Sequence, residues 1–184
     1  MQPTLSTDRL ILRPFSLADA ADVRRLAGDA RVADTTKTIP HPYPEGAAEA
    51  WIATHAAAFA ARKEIVFAMI ETRSNLLVGA AALLDVSEEH ARAELGYWAG
   101  VEYWSKGFCT EAALRLIQFA HQELGVTRIV ARCLARNPAS ARVMEKAGLR
   151  REGYFVQDLK KHGRYEDVLF YGLVLPGRMD RGMR

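Results

Sequence analysis

The chain of 184 residues reads as an α/β domain on a mixed seven-stranded sheet, antiparallel except for a central parallel pair, with about four flanking helices. Three observations predict it. Three β-rich runs between residues 65 and 100 are joined by the short polar stretches TRSN and SEEHA, the spacing of an antiparallel meander. A helix-period segment from Phe108 to Leu124 then separates two strand-like runs. Such a unit crosses over right-handed and leaves its strands parallel. The length suits one domain, residues 1–184, with its core at about 5–176.

Taken in order, RLILRPF predicts a strand ending at Pro14. Ser16 with Asp19 three residues later has the spacing of a capping box and opens a helix near Leu17 to Ala27. Thr35 to Pro44 holds three prolines and no period, so it is a loop, and Pro44 suits the first position of an alanine-rich helix running to about Lys63. The meander strands are Ile65 to Glu71, Leu76 to Val86 and Arg92 to Gly100. Gly79 and Gly96 interrupt them, which calls for a bulge or a close ligand. Ala112, Ala113, Leu116, Ile117, Ala120 and Leu124 give the next helix its apolar face, Gly125 ends it, and TRIVARCL is the following strand. Asn137 caps a short helix with Pro138 in its first turn, ending by Gly148. Gly153 to Lys160 and Tyr165 to Leu175 flank KHGR as a hairpin, and the arginine-rich tail from Gly177 reads as frayed.

Composition removes several classes of function. Only Cys109 and Cys133 occur, with no C-x-x-C spacing, and the five histidines lack the i, i+4 pairing of a helical metal site. No metal is expected. No apolar run approaches the roughly 18 residues of a membrane span, and the first residues lack the apolar centre of a signal peptide, so the expectation is a soluble, cytoplasmic protein without a membrane partner. The net charge is +3, yet Arg128 to Arg151 carries seven basic residues against the single acid Glu145. Such a patch serves a phosphate-bearing ligand or a nucleic acid, or is a solvated helix face.

The junction YWSKGFCTEA, Tyr103 to Ala112, carries the chemistry. A helix start leaves backbone N–H groups unpaired, its dipole adds positive charge, and a glycine lets a ligand approach the chain. Lys106, Gly107, Phe108, Cys109 and Thr110 would offer donors to a phosphate, with the Lys106 side chain adding charge. Neither G-x-G-x-x-G nor G-x-x-x-x-G-K-[ST] occurs, which disfavours nicotinamide enzymes and nucleotide hydrolases.

ELGYWAGVEYWSKGFCTEA, followed by RIVARCLARNPASARVMEKAGLRREGYF, resembles the GNAT superfamily of acyl-CoA N-acyltransferases, in the branch related to the RimJ/RimL ribosomal-protein N-terminal acetyltransferases. TDRLILRPFSLADA, IPHPYP and GRYEDVLFYGLVL extend the resemblance over nearly the whole chain. The family motif Q/R-x-x-G-x-G/A falls on Trp104 to Cys109, with Trp104 in place of Gln or Arg and Cys109 in place of a small residue. The resemblance implies acetyl-CoA as cofactor and transfer of its acetyl group to a primary amine by direct attack. It also implies that Cys109 is a small filler of the cradle rather than an acyl acceptor with a lowered pKa.

By the same resemblance AELGYWAG carries a bulge and splays from RIVARCL, leaving a slot for the pantetheine arm. A backbone N–H among Tyr97, Trp98 and Ala99 would face the thioester oxygen. N-x-x-S falls on Asn137, which would hold the pantetheine, and Ser140, which would lie near the sulfur and donate a proton. Asn137 also reads as a plain cap. Glu94 is the preferred base if burial raises its pKa, against an ion pair as the other reading, with Asp167 and Tyr154 weaker candidates. An N-terminal amine titrates near about 8, which makes a strong base optional. Arg142 and Lys146, one helical turn apart, would face the cofactor's 3′-phosphate or simply water. The former gives the basic patch an owner and, without interleaved aromatics for base stacking, disfavours nucleic acid.

The acceptor is a protein N-terminus or a small amine, read by the Pro-rich loop, the helix holding Trp51 and the last hairpin. The alternatives are a non-catalytic acyl-CoA-binding regulatory module and an RNA-associated protein. Exposed strand edges leave a homodimer open.

Overall fold

The computed structural model describes residues 1–177. The expected frayed tail lies almost wholly outside these residues. The elements are β1 (Leu5–Ser6), β2 (Leu10–Arg13), α1 (Ala20–Ala27), α2 (Ala30–Thr35), α3 (Ala47–Ala60), β3 (Ile65–Glu71), β4 (Leu76–Ser87), β5 (Arg92–Ala99), α4 (Phe108–Leu124), β6 (Arg128–Leu134), α5 (Pro138–Lys146), β7 (Arg150–Lys161) and β8 (Arg164–Val174). One sheet runs β1-β2-β3-β4-β5-β6-β8-β7, and β5–β6 is its parallel pair.

The sheet has eight strands rather than seven, because the two residues of β1 pair with β2. The fifth α-helix is the six-residue α2, too short to display a period. Its start is fixed by Asp29, whose carboxylate accepts from the Arg31 N–H at 2.9 Å. Ser16 and Asp19 do meet: the Asp19 carboxylate accepts the Ser16 N–H at 2.7 Å, and the Arg13 guanidinium at 2.7 and 2.8 Å. The first turn there is a 3-10 turn, Leu17–Asp19, ahead of α1. Pro44 does not open α3. The chain turns at Gly46, φ +71°, so the helix begins at Ala47, and it stops at Ala60 rather than Lys63.

The core lies between the helices and the sheet. Phe67, Leu83, Leu95, Leu116 and Ile129 are fully buried, each contributing roughly 1.5–3 kcal/mol relative to exposure. On α4 the predicted apolar face is the buried one, from Ala112 to Ala120. Gly79 sits beside a β-bulge: β4 carries the extra residue Val78 between Met69↔Gly79 and Ile70↔Leu77. A Cβ at Gly79 would stand 2.1 Å from the Trp98 carbonyl oxygen, so a close strand crossing demands the glycine.

Of the sheet's register irregularities, one at its centre and one at its edge shape the molecule most. The β5–β6 ladder holds only Arg92↔Arg128, Ala93↔Ile129 and Glu94↔Val130, after which the strands part. On β7, Val156, Gln157 and Asp158 bulge against the single residue Asp167 of β8, with Gln157 at φ +53°. The bulge expected on AELGYWAG is instead on β4: its ladder with β5 is regular from Gly79↔Ala99 to Leu84↔Glu94, and the extra residue falls between Leu84 and Ser87.

Candidate active site

Beyond Glu94 the parallel ladder stops, and every second amide of β5 faces the gap instead of β4. The gap is the floor of a cleft of about 810 Å³. Side chains alternate across the sheet, so Tyr97 and Glu94, three apart, point to opposite faces. Tyr97 reaches Ser140 on α5, while Glu94 reaches Lys37 in the segment after α2. The cleft therefore passes through the sheet, with α4 and α5 on one face and residues 35–40 on the other.

On the α4 face, Gly107 takes φ +83° and Glu111 N–H closes the first helical turn on its carbonyl. The backbone N–H groups of Gly107, Phe108, Cys109 and Thr110 have no acceptor among the described residues, and all four residues line the cleft. Glu111 explains the second half of the junction. Its carboxylate accepts from the Thr7 hydroxyl, the Arg9 N–H at 2.8 Å and Arg9 Nε at 2.7 Å, which pins the helix start to the β1–β2 turn. Arg9 also donates to the Lys106 carbonyl at 3.0 Å. Lys106 departs from its expected role. It does not line the cleft, and its ammonium stands 5.2 Å over the Tyr103 ring.

Burial pushes the Cys109 thiol up to about 12, so the lowered pKa considered for a helix start is not met. The Tyr97 hydroxyl lies 3.0 Å from Ser140 Oγ and donates to the Ser140 carbonyl at 3.0 Å. Burial also drives the Tyr97 phenol well above its usual range, against the smaller opposing effect of Ser140. Two hydroxyls thus share the narrow part of the cleft. The sequence offered Ser140 as the proton donor and Tyr97 for its backbone alone; the phenol–serine contact joins positions too far apart to be read locally. Asn137 caps α5, its carbonyl accepting the Ser140 N–H at 3.0 Å, while its amide donates to the Thr35 carbonyl at 3.1 Å. Arg142 and Lys146 line the cleft and bear no ion pair among the described residues.

The rest of the basic segment is largely neutralised. Arg128 pairs with Glu152, Arg132 with Glu94, and Arg136 with Asp34 and Glu166.

On the opposite face Glu94 is buried, 6% exposed, between Lys37 Nζ at 2.8 Å and the Arg132 fork. Burial alone would raise its pKa. The bonds from Arg132 and Lys37 outweigh that and hold the carboxyl below its ordinary range. The raised pKa that a base would need is therefore corrected, and the ion pair is what exists. Tyr154 and Asp167 are tied to each other, the phenol donating to the carboxylate, and neither lines the cleft. Trp51, which lines the cleft, stacks edge-on against His55, ring centroids 4.5 Å apart. His55 is 6% exposed, neither ring nitrogen has a partner among the described residues, and burial lowers its pKa to about 4.

Among the described residues no helix is long and apolar enough to cross a membrane. A family model described as an acetyltransferase (GNAT) domain matches residues 9–150. The curated "Uncharacterized N-acetyltransferase YoaA" of Bacillus subtilis is 30% identical over 178 residues, 96% of this chain and 99% of its own. A "Putative ribosomal N-acetyltransferase YdaF" of Bacillus subtilis is 32% identical over 98 residues, 53% of this chain and 54% of its own. A solved structure described as an acetyltransferase (GNAT family) from Bacillus anthracis superposes with a TM-score of 0.81 at 29% identity, covering 94% of this chain and 98% of that one. A sheet parted beside an open helix start, within a match over most of the sequence, makes this chain a member of the GNAT acetyltransferase family.

Proposed function

We propose that the cleft moves an acetyl group from acetyl-CoA to the single free amine of a protein N-terminus or a similarly monocationic small amine. The observation that carries this reading is the parting of β5 from β6 directly beside four unpaired N–H donors of α4. Those donors, with the helix dipole behind them, fit a pyrophosphate. Arg142 and Lys146, one turn apart on α5, fit a further phosphate.

When bound, acetyl-CoA supplies a reactive thioester and a thiolate leaving group. The chain's own groups do the rest. The free amides of β5 facing the gap stabilise negative charge developing on an oxygen placed there. The Tyr97–Ser140 hydroxyl pair holds a proton at the narrow part of the cleft, and burial keeps the phenol protonated at working pH. Glu94 is spent on Lys37 and Arg132, so the amine loses its proton to solvent, as an N-terminal amine with pKa near about 8 readily does.

The acceptor class is a matter of charge. Asp34, Glu94 and Glu166 around the acceptor face all hold cations. Glu64 is the carboxylate of the lining that makes no ion pair among the described residues. Within the cleft lining a polyamine would bring several charges to one free carboxylate, with Asp85 and Asp158 near Arg132 outside that lining, whereas a peptide N-terminus brings one charge. Thiol release with the tetrapeptide amide Ser-Ala-Ala-Ala and with spermidine tests this. The peptide is expected to exceed spermidine by about 10-fold or more in kcat/KM, and the reverse order would refute the acceptor class.

A further inference from the structure

Arg136 and Asn137 join β6 to α5, and both side chains reach the same short stretch on the acceptor side. Arg136 Nη1 donates to an Asp34 carboxylate oxygen at 2.7 Å. Its Nη2 donates to the other oxygen and to the Asp34 carbonyl, each at 2.9 Å. The Nε of the same guanidinium meets Glu166 on β8 at 2.9 Å. One residue on, the Asn137 amide holds the Thr35 carbonyl, and two residues past Thr35, Lys37 is held by Glu94. Thr35, Thr36 and Lys37 line the cleft. Residues 34–37 are thus a wall of the acceptor side whose anchorage comes chiefly from the start of the helix that carries Ser140, Arg142 and Lys146.

The anchor joins two segments that are each packed into the body of the protein, α5 through buried Ala141 and Met144 and the six-residue α2 through buried Val32 and Ala33. The planar guanidinium makes five hydrogen bonds to two carboxylates and a carbonyl, a fixed fork geometry that a single neutral amide bond lacks. We propose that Arg136 is a positioning residue that makes the acceptor wall, residues 34–37, register whether the cofactor side of the cleft is filled. The proposal rests on the acetyl-CoA reading above.

Hydrogen exchange on the full chain, with and without acetyl-CoA, tests it without needing the acceptor. In the parent, acetyl-CoA is expected to slow exchange at residues 30–37 by about 5-fold or more, alongside α5 and residues 107–110. In Arg136→Met the slowing at 30–37 should vanish while that at α5 and 107–110 persists, with the acetyl-CoA Kd by calorimetry within about threefold of the parent. Arg136→Lys keeps the charge without the fork and should restore part of the effect. Asp34→Asn removes the charge and one of the two side-chain acceptors from the other end and should reduce the effect in part. Protection confined to α4 and α5 in the parent, or undiminished at 30–37 in Arg136→Met and Asp34→Asn, would overturn the coupling alone. No protection anywhere in the parent would overturn the donor reading and this proposal with it.

Discussion

The two sides of the cleft are made of different materials. On the α4–α5 side the functional groups are backbone N–H donors left over from a helix start and two cations without ion pairs. On the proposed acceptor side several charged groups are consumed by one another, Lys37 and Arg132 by Glu94 and Asp34 and Glu166 by Arg136, while Glu64, Asp85 and Asp158 make no ion pair among the described residues. The first side is ready to meet a highly charged ligand. The second has spent much of its charge on holding its own shape, which is the basis for the proposed preference for an acceptor bearing little charge.

The largest effect should come from placing a carboxylate among the free donors. Gly107→Glu combines a strained φ of +83° with repulsion of the phosphates, and should weaken acetyl-CoA binding more than about 100-fold by calorimetry. Retained affinity would break the contrast, because the donor side would then not be built on that helix start.

A second test addresses the acceptor side through His55, which packs on Trp51. Its folded pKa of about 4 lies below the ordinary 6.5, so the unfolded chain binds the extra proton first. The stability it supports is full above about pH 6.5 and falls as the pH drops toward 4, by about 3 kcal/mol in all. Denaturant melts at several pH values should show that slope, and His55→Leu should flatten it. An identical slope in the variant would place the acid sensitivity elsewhere.

Next in size, Tyr97→Phe should lower kcat about 30-fold and Ser140→Ala about threefold, with acetyl-CoA affinity kept in both. The reverse ranking would hand the proton to the serine. Glu94→Gln sharpens the comparison further: it should raise the acceptor KM about 10-fold and leave the pH profile of kcat unshifted, since a carboxylate held by two cations is no base. A moved profile would restore Glu94 to the chemistry. The smallest effect is expected at Cys109, whose half-buried thiol is almost wholly protonated at neutral pH. Cys109→Ala should change acetyl-CoA affinity by less than about threefold.

The same contrast governs what the sequence disclosed. The donor side is local chemistry: a glycine before a helix, Asn137 and Ser140 three apart, Arg142 and Lys146 four apart. Spacing and helical period expose such groups. The acceptor side joins Lys37 to Glu94 across 57 positions and Asp34 to Arg136 across 102, and a one-dimensional reading has no way to pair them. Glu94 could be picked out as a carboxylate on the central strand, but the sign of its pKa shift depends on partners the chain brings from elsewhere. His55 gave no signal inside an alanine-rich helix, and α2 was too brief to reveal itself. Strand existence was legible throughout the meander, and Gly79 marked the bulge at Val78, whereas the second β4 bulge, between Leu84 and Ser87, carries no glycine to announce it.

The interrupted edge of β7 bears on how the molecule tolerates its own neighbours. The sheet ends on one flank in a strand of two residues, and on the other in a strand whose middle swells outward at Val156 to Asp158 and whose ends carry Arg150, Arg151, Lys160 and Lys161. Neither flank offers a long, flat, uncharged ribbon on which another chain could extend the ladder. Crowded copies should therefore resist stacking into fibrils by continuing the sheet from one molecule to the next.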